Sequence, residues 1–400
     1  MNRSLAPGPT AVAAALARGG DGAGPLSGGD LATWLAPLMA RRAEFGITRV
    51  ASLTRLDRVG IPVVQVTRPL ALSNAVSQGK GQALPAATAA AFMEAIETWA
   101  AERIPESAVR RATPASLGPG VCELYGPWID GDALLSWATT DCSWIDGWDL
   151  LSETIRPVPL ALADTVYTVP SPHSRSLPRV TTGLGAGRRM IDAILQAGLE
   201  IIERDALVRA RRTPYFFERF QVDLSTVTGR ESAWILDRIQ SGGLVAGAWR
   251  IPSAPGTGVY RCHVMETDWS MELAPLPAEG SACRLDEDSA LAAALLEACQ
   301  ARLAAISGAR DDLTRNHYPT AYDRAELADW RSQLSPAGGM PFASSDSGSR
   351  PGIDGLVKAL RATGAQAFIV VPLLVDHDLD VTVVRAVAPP LRLWPGSGDA

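Results

Sequence analysis

Two segments of this chain combine an apolar helical stripe with a pair of glutamates on one helix face. The first is Pro85–Glu102, where the 3.6-residue period predicts a helix with Glu94 and Glu97 on one face. No Lys or Arg stands four residues after either glutamate, unlike the mixed charges typical of a solvated helix face. An exposed acidic face is the alternative interpretation of this helix taken alone.

The second segment, Arg188–Arg212, repeats the arrangement with Gln196, Glu200 and Glu203 spaced about one helical turn apart. Four carboxylates on two facing helices repel one another unless a cation lies between them. Mg²⁺ is the natural ion, because it takes carboxylate oxygens and shares its remaining positions with water and nucleotide phosphates. Arg204, which directly follows Glu203, fits either this site or an ordinary network of ion pairs.

Two basic features suit a phosphate beside that metal. Arg302 interrupts the apolar face of a third predicted helix, Asp288–Ser307, where a guanidinium is costly without an anion. The anion is either a phosphate or a carboxylate from one of the acidic helices. Ser77–Gly81 (SQGKG) is predicted to be a flexible basic turn whose Lys80 and backbone can approach phosphates, although it is not the Walker sequence.

Charge, cysteine spacing and the remaining motifs exclude several other classes. The formal charge of −6 provides no basic field for nucleic acid or anionic lipid, and the apolar stretch Gln366–Val375 is too short to span a bilayer. The five cysteines follow no zinc spacing and are typical of reduced cytosolic thiols. No HExxH or GxSxG motif occurs, and Gly183–Gly187 is not a GxGxxG loop. We therefore predict a cytoplasmic protein with neither nucleic-acid nor membrane partners.

Helical and strand patterns alternate irregularly along the chain, which indicates an α/β or α+β layered fold. Residues 1–45 are predicted to form a flexible leader and a helix, residues 46–391 one catalytic domain, and residues 392–400 a C-terminal tail. Leu134–Ile145 is predicted to form short strands. Ser335–Gly352 is small and polar enough for a loop or lid.

Several separated runs resemble the YcaO family. They keep their order and spacing from about Gly46 to Leu391. They are Gly46–Val50 (GITRV), Leu56–Pro62 (LDRVGIP), Ser77–Gly81 (SQGKG), Ala90–Glu97 (AAFMEAIE), Thr182–Gly187 (TGLGAG), Gln196–Asp205 (QAGLEIIERD) and Glu297–Arg302 (EACQAR). Leu303–Leu313 (LAAISGARDDL) is similar to the subgroup encoded beside TfuA proteins. The resemblance implies a YcaO-type fold with an ATP site between the acidic helices.

The resemblance also implies an ATP- and Mg²⁺-dependent enzyme that activates a backbone amide of a ribosomally made peptide or of a protein. After a nucleophile attacks the carbonyl carbon, the amide oxygen takes the γ-phosphoryl group of ATP, and phosphate then leaves. Sulfide delivered with a TfuA-like partner gives a thioamide, whereas a Cys, Ser or Thr side chain of the substrate gives an azoline.

By the same resemblance, each candidate site residue receives a role. Glu94, Glu97, Glu200 and Glu203 are expected to hold Mg²⁺ and nucleotide. The residues expected to contact ATP in addition are Ser77, Lys80, Gln196, Arg204 and Arg302. Glu200, Glu203 and Arg302 are the expected catalytic residues.

Departures from the family pattern define the alternatives. Ala90, Thr98 and Thr182 stand where members often have Ser, Arg and Asn, so a non-catalytic accessory or scaffold protein is the alternative from a different class. The end of the sequence, Pro389–Ala400, lacks the alternating-proline tail common in azoline-forming members, which together with the TfuA-like run favours thioamide formation. An azoline-forming cyclodehydratase is the main alternative. Peptide recognition is expected from a partner or from the Trp-rich region Trp128–Trp148, and a homodimer is compatible with the sequence.

Overall fold

The computed structural model describes residues 2–18, 28–267, 277–308, 313, 318, 324–334, 339–342 and 352–393. The α-helices are α1 (Thr10–Ala17), α2 (Gly28–Ala40), α3 (Leu84–Ala101), α4 (Pro119–Tyr125), α5 (Ala133–Ser136), α6 (Leu160–Ala163), α7 (Met190–Arg211), α8 (Phe216–Phe220), α9 (Arg230–Ser241), α10 (Glu287–Ser307), α11 (Arg324–Leu334) and α12 (Ile353–Thr363). The strands are β1 (Arg3–Leu5), β2 (Arg49–Ser52), β3 (Val63–Thr67), β4 (Val76–Lys80), β5 (Val109–Ala112), β6 (Cys142–Asp149), β7 (Thr154–Pro159), β8 (Leu184–Gly187), β9 (Val222–Asp223), β10 (Leu244–Arg250), β11 (Gly258–Glu266), β12 (Ala278–Arg284), β13 (Met340–Pro341), β14 (Ile369–Asp376) and β15 (Val381–Val387).

A seven-stranded antiparallel sheet forms the largest layer. Its strands follow the order β5-β6-β14-β15-β8, with β7 also paired to β6 and β1 to β14. Side chains of β14 alternate between two cores: Ile369 and Val371 pack with α3, whereas Val370 packs with α7. Because helices cover both faces, the central strands consist of almost uninterrupted buried aliphatic residues. Helices on either side of a sheet confirm the predicted α/β or α+β layered fold, and the antiparallel pairing of the sheet is that of the α+β alternative.

Two three-stranded sheets complete the site region. The sheet β2-β3-β4 packs on α3, and the sheet β10-β11-β12 packs on α9 and α10. Three pairs of a strand and the helix that follows it, β4–α3, β8–α7 and β12–α10, form a closed ring. Within this ring, β4 also contacts α10, β12 contacts α7, and β8 contacts α3. The ring brings together three helices that are about a hundred residues apart in sequence.

Glycines on the three ring strands allow the close approach of the three helices. A Cβ atom on Gly79 of β4 would lie 2.1 Å from the backbone nitrogen of Ala91 on α3. A Cβ on Gly185 or Gly280 would lie 2.5 Å or 2.2 Å from backbone atoms of α7 or α10. Each of these glycines is therefore required by the packing distance between strand and helix.

The N-terminal segment is part of the folded structure, so the prediction of a flexible leader was wrong for residues 2–18. β1 pairs with β14, and Arg3 donates hydrogen bonds to Asp376 at 2.6 Å and to Glu44 at 3.0 Å. Val12 on α1 is completely buried. The sequence could not show this because the partners of Arg3 stand up to 373 positions away. Residues 19–27 lie outside the described residues.

Three local predictions also differ from the structure. Ser77–Gly81 is not a flexible turn, because residues 76–80 form strand β4, paired with β3. Leu134–Ile145 starts in the short helix α5 and becomes strand only at Cys142. Of the predicted loop Ser335–Gly352, residues 339–342 and Gly352 are described, and Met340–Pro341 pairs in parallel with β9. The rest of that loop, residues 309–312 of the TfuA-like run and residues 394–400 of the tail lie outside the described residues.

Within the described part of the chain, α10 is the one helix long and apolar enough to cross a membrane by length and composition. Of its most apolar 18-residue window, 56% is buried inside the protein. α10 packs against β11, β12 and α9, so it is a core helix of this fold. The stretch Gln366–Val375, considered above for its apolar character, mainly forms strand β14.

Candidate active site

The two glutamates of α3 contact the strands on either side of that helix. Glu94 Oε2 accepts a hydrogen bond from the backbone N–H of Gln78 on β4 at 3.1 Å. Glu97 interacts with the backbone N–H of Ala186 on β8. Both carboxylates therefore point toward the interior of the ring, as the helical spacing predicted.

The two glutamates of α7 occupy the corresponding positions in the next strand–helix pair. Glu200 Oε2 accepts a hydrogen bond from the backbone N–H of Gly183 at 3.2 Å. Glu203 accepts hydrogen bonds from Ser281 Oγ at 2.8 Å and from the backbone N–H of Cys283 at 3.2 Å, both on β12. The α7 carboxylates are thus fixed between β8 and β12, each by hydrogen bonds from neighbouring backbone.

A fifth glutamate, Glu297 on α10, belongs to the same cluster and was not assigned from the sequence. Its Oε2 atom lies 2.8 Å from Nζ of Lys80 on β4. Glu297 also interacts electrostatically with Glu94 and Glu203. Its position at the start of the EACQAR run was the available signal, but α10 carries one glutamate on this face and hence lacks the repeated spacing of α3 and α7.

Basic side chains lie among the five carboxylates. Arg204 places Nε 3.7 Å from Glu200 and Nη1 3.8 Å from Glu203. Lys80 pairs with Glu297, and Arg284 adds a weaker attraction to Glu203 and Glu297. The structure thus brings Lys80 and Arg204 into the cluster of carboxylates.

Burial and mutual repulsion raise the pKa of four of the carboxyl groups. Burial is the largest cause throughout, and it raises the pKa of Glu94 and of Glu200 to about 7. The pKa of Glu97 is raised further, because Glu94 and Glu200 add their repulsion and no cation offsets it. Burial also raises the pKa of Glu203 despite the attraction of Arg204. The side chain of Glu94 is exposed to solvent at its surface although protein surrounds the rest of it.

The pKa of Glu297 is shifted in the opposite direction. Burial opposes its ionisation, but Lys80, Arg204 and Arg284 together outweigh burial and lower the pKa of Glu297. The cluster therefore contains one stable carboxylate and four carboxyl groups whose ionisation is unfavourable in the protein alone. A bound divalent cation would stabilise the ionised form of these four carboxyl groups.

The donor set fits Mg²⁺ that arrives with a nucleotide. Among the described residues, no group of three or more His, Cys, Asp or Glu side chains is arranged to hold a metal ion by itself. Mg²⁺ in nucleotide sites needs only one or two carboxylates, since phosphates and water supply its other ligands. Hard carboxylate oxygens from α3 and α7, with Lys80 and Arg204 beside them, meet that requirement.

Arg302 is not part of the cluster. Its side chain is 4% exposed, and it pairs with Glu266 of β11 at 2.5 Å and with Asp57 at 3.4 Å. The anion next to this guanidinium is therefore a carboxylate, one of the two partners left open by the sequence, although it comes from β11 and a loop and not from an acidic helix. Contact between Arg302 and a phosphate is not supported by this packing.

The remaining candidates lie near the cluster with less definite roles. Ser77 is buried on β4, and Gln196 is exposed on α7 one turn before Glu200. Thr182, at a position where related sequences often carry Asn, precedes the Gly183 amide that contacts Glu200, and its own hydroxyl donates to the carbonyl of Leu393 at 3.1 Å. The hydroxyl of Thr98 donates to the carbonyl of Ala95 on its own helix, so it does not replace an arginine functionally.

The Trp-rich region does not offer a recognition surface through its central tryptophans. Trp137 and Trp144 are 3% and 0% exposed and belong to the core on the α3 side of the large sheet. Trp128 donates its indole N–H to the carbonyl of Leu391 at 2.9 Å. Trp137 and Trp144 are therefore core side chains, whereas Trp128 and Trp148 are partly exposed, and recognition of a peptide by the rest of this region or by a partner stays a prediction.

Comparison with known proteins gives one family and several relatives. The sequence profile of the family described as "YcaO cyclodehydratase, ATP- and Mg²⁺-binding" matches residues 78–392. An uncharacterised protein of Mycobacterium tuberculosis is 32% identical over 377 residues, which cover 91% of this chain and 82% of that protein. An uncharacterised protein encoded in the tfuA 3′ region of Rhizobium leguminosarum bv. trifolii is 29% identical over 372 residues, covering 88% of this chain and 84% of that protein.

Solved structures share the fold at lower identity. The YcaO protein of Methanopyrus kandleri, bound with AMPPCP and Mg²⁺, superposes with a TM-score of 0.65 at 23% identity over 92% of this chain and 91% of that chain. A heterocyclase in complex with substrate and cofactor superposes with a TM-score of 0.66 at 18% identity, over 86% of this chain and 50% of the longer heterocyclase. These similarities show the fold.

Proposed function

Because this chain belongs to the YcaO family of ATP- and Mg²⁺-binding proteins, we propose that it phosphorylates the oxygen of a backbone amide in a peptide or protein and then replaces that oxygen with sulfur. The product is a thioamide. The single observation that carries the catalytic part of the proposal is the cluster of five glutamates from α3, α7 and α10, in which four pKa values are raised.

Each charged residue of the ring would have its own role in binding Mg²⁺ and ATP. Glu94, Glu97, Glu200 and Glu203 would hold Mg²⁺, and Lys80 and Arg204 would contact the phosphates. Glu297 would keep Lys80 in place, since the two side chains are already paired at 2.8 Å. A bound Mg²⁺ supplies charge neutralisation to a phosphoryl group in transfer, which is the main requirement of such reactions.

The proposed reaction conserves atoms and electrons. Hydrosulfide adds to the amide carbonyl carbon, a C–S bond forms, and the C=O electron pair moves to oxygen. That oxygen attacks the γ-phosphorus of ATP, and the bond between the γ-phosphorus and the bridging oxygen of ADP breaks. The S–H proton is then lost, a C=S bond forms, and the C–O bond breaks as phosphate leaves.

Two observations bear on the choice of nucleophile. The relative from Rhizobium leguminosarum is encoded in a tfuA 3′ region, which supports sulfide delivered with a TfuA-like partner. The family description contains the word cyclodehydratase, which favours the second candidate, an azoline formed by a Cys, Ser or Thr side chain of the substrate. Under this proposal the protein works in the cytoplasm with a TfuA-like protein, a sulfide donor and a peptide or protein substrate, and a homodimer is compatible with that role.

The test is product analysis in a reaction that contains the protein, a TfuA-like protein, Mg²⁺, ATP, isotopically labelled sulfide and a candidate substrate. We expect phosphate release together with incorporation of labelled sulfur in place of one oxygen. Loss of one water without sulfur uptake, at an amide next to Cys, Ser or Thr, would assign the azoline reaction instead.

The site assignment has its own control. We expect the variant Glu200→Gln/Glu203→Gln to lose at least about 10²-fold of phosphate release, because charge stabilisation in phosphoryl transfer is removed. The matched variant Glu123→Gln, which changes an exposed glutamate of α4, should keep full activity. Robust turnover by the double variant would contradict the assignment of these glutamates.

A further inference from the structure

A recess of about 330 Å³ lies on the face of the β10-β11-β12 sheet that looks away from α10. Trp249 of β10 and His263 of β11 form its floor, Phe217 of α8 borders one end, and Trp330 of α11 covers the other. α11 can approach this face closely because residue 247 is glycine: a Cβ there would lie 3.0 Å from the side chain of Leu334. The recess is large enough for one side chain and too small for a nucleotide.

The recess and the acidic cluster both lie against strand β12. Ser281 of β12 donates to Glu203 at 2.8 Å, and Glu279, which lines the recess, stands two residues earlier on the same face of β12. Residues two apart on a strand are about 7 Å apart. Glu203 and Ser281 are themselves buried, so an extended peptide would follow β12 outside them; with its reactive amide beside the cluster, it places a side chain two or three residues away at the recess.

The walls of the recess are aromatic. The ring of Trp249 lies 4.9 Å from that of His263, and Trp330 meets His263 edge-on at 6.3 Å. Phe217 meets Trp249 at 90° and 5.3 Å. Burial lowers the pKa of His263 to about 4, so its imidazole is neutral at physiological pH and does not repel a cation. Aromatic faces of this kind attract guanidinium and ammonium groups.

The rim of the recess is acidic. The one arginine that lines it, Arg261, is already engaged, because Nη2 lies 2.7 Å from Glu279 and Nε donates to His263 Nε2 at 3.2 Å. Glu326 and Asp329 stand three residues apart on α11 and are exposed at the mouth. Asp329 accepts a hydrogen bond from Gln333 at 2.9 Å, and among the described residues neither carboxylate forms an ion pair.

We propose that this recess is a substrate subsite that binds a cationic side chain, arginine or lysine, two or three residues from the amide that is modified. The proposal rests on the proposed function for its choice of occupant, a peptide. Glu326 and Asp329 attract the cation, and the partly exposed ring of Trp330 packs against it. Trp249 is 2% exposed, and the face of Phe217 already carries the guanidinium of Arg261 at 5.7 Å. The subsite gives the enzyme a preference for basic sequence near the reactive amide.

The test is direct binding to the full-length protein and needs no turnover. The probes are acetyl-Gly-Arg-Gly-amide and its citrulline counterpart, which has nearly the same shape but no charge. By isothermal titration we expect the arginine peptide to bind about tenfold more tightly, as the combined cation–π and carboxylate attraction requires. In Glu326→Gln/Asp329→Asn, the difference between the two peptides should fall to about twofold or less.

A charge-matched variant separates the recess from general electrostatics. Glu123→Gln/Asp354→Asn removes the same charge from exposed positions on α4 and α12 and should retain the full preference for arginine. Equal binding of the two peptides, no saturable binding of either, or a preference that survives in Glu326→Gln/Asp329→Asn would overturn the proposal.

The same samples distinguish failure of the subsite from failure of the proposed function. Binding of Mg²⁺ and AMPPCP is measured on the unmodified protein in parallel. Arginine binding without nucleotide binding would leave the subsite standing and remove the phosphoryl-transfer reaction. Nucleotide binding without a preference for the arginine peptide would remove the subsite and leave the phosphoryl-transfer reaction standing.

Discussion

At the scale of single residues, the electrostatics of the glutamates decides what the cluster can do. Glu94 and Glu200 have pKa values raised to about 7, while the ordinary value for glutamate is 4.5. An acid with a raised pKa in the folded state holds more protons than in the unfolded state between these two values. The cluster therefore lowers the stability of the free protein as pH rises from about 4.5 through 7, and a divalent cation compensates by pairing with the ionised groups.

The variant Glu200→Gln tests this expected loss of stability with rising pH. Glutamine keeps an oxygen that accepts the Gly183 N–H but carries no charge. Above pH 7 we expect the variant to be more stable than the wild type by about 1–3 kcal/mol in the absence of Mg²⁺, and the difference should vanish toward pH 5. Urea unfolding at pH 5, 6, 7 and 8 measures it. A variant that is less stable than the wild type at pH 8 would contradict the repulsion on which the metal site is argued.

Arg302 provides a second test at the residue scale. A guanidinium that neutralises buried carboxylates and one that binds phosphate predict different effects of its removal, on stability in the first case and on nucleotide binding in the second. If it neutralises Glu266 and Asp57, Arg302→Ala should cost about 3–5 kcal/mol of unfolding free energy, as removal of one partner leaves buried charge. Arg58 also contacts Glu266, but its side chain is 57% exposed. Arg58→Ala should therefore cost less than about 1 kcal/mol. Unchanged stability of Arg302→Ala together with lost nucleotide binding would restore the phosphate role.

At the scale of elements, the site depends on the distance between each ring strand and its helix. Gly79, Gly185 and Gly280 bring β4, β8 and β12 against the backbones of α3, α7 and α10. That approach puts Lys80 and the Gln78 amide within reach of Glu297 and Glu94. Glu94 and Glu200 are held by backbone of their own strand–helix pair, and Glu97, Glu203 and Glu297 by the strand of a neighbouring pair. The spacing of the elements and the chemistry of the site are therefore coupled.

The variant Gly79→Ala tests this coupling. Because the new Cβ would lie 2.1 Å from Ala91 N, β4 must shift, and we expect a loss of roughly 2–3 kcal/mol in stability together with weaker Mg²⁺-nucleotide binding. The control is Gly120→Ala on α4, where nothing lies within 4 Å and alanine should be neutral or stabilising by up to about 1 kcal/mol. Equal stability of the two variants, measured by urea unfolding, would show that the close approach is not required.

The same element scale explains what could be predicted from the sequence. The helices α3 and α7 and their four glutamates follow from 3.6-residue periodicity, a local signal that the structure confirms. Strand β4 could not be predicted in this way, because SQGKG has the composition of a turn. Only its contact with α3 explains Gly79 within the strand and Gly81 directly after it. Glu297 could not be assigned to the site from the sequence for a related reason. One glutamate on α10 has no repeated spacing, and its partner Lys80 is 217 positions away. The pairing of β1 with β14 is invisible to any local pattern.

At the scale of the whole molecule, the site exists only when the complete ring is formed. The strands β4, β8 and β12 and their helices come from three separated parts of the chain, and no two of them supply all five glutamates. β8 belongs to the large sheet through its pairing with β15, whereas β4 and β12 belong to the two three-stranded sheets. Contacts of β4 with α10, of β8 with α3 and of β12 with α7 link the three parts. The aromatic recess shares β12 with the cluster, so the proposed side-chain subsite and the proposed magnesium-nucleotide site lie along the same strand.

Binding of Mg²⁺ and AMPPCP, measured by isothermal titration, tests the central claim that this ring is a magnesium-nucleotide site. We expect saturable AMPPCP binding to the wild type that requires Mg²⁺. The affinity of Glu200→Gln/Glu203→Gln for AMPPCP should be at least about tenfold weaker, because loss of a metal ligand, or of a side chain that orients one, has effects of that size or more. Undetectable nucleotide binding by the folded wild type would leave a non-catalytic scaffold as the better explanation. Equal affinity of the double variant would contradict the placement of the metal among these carboxylates.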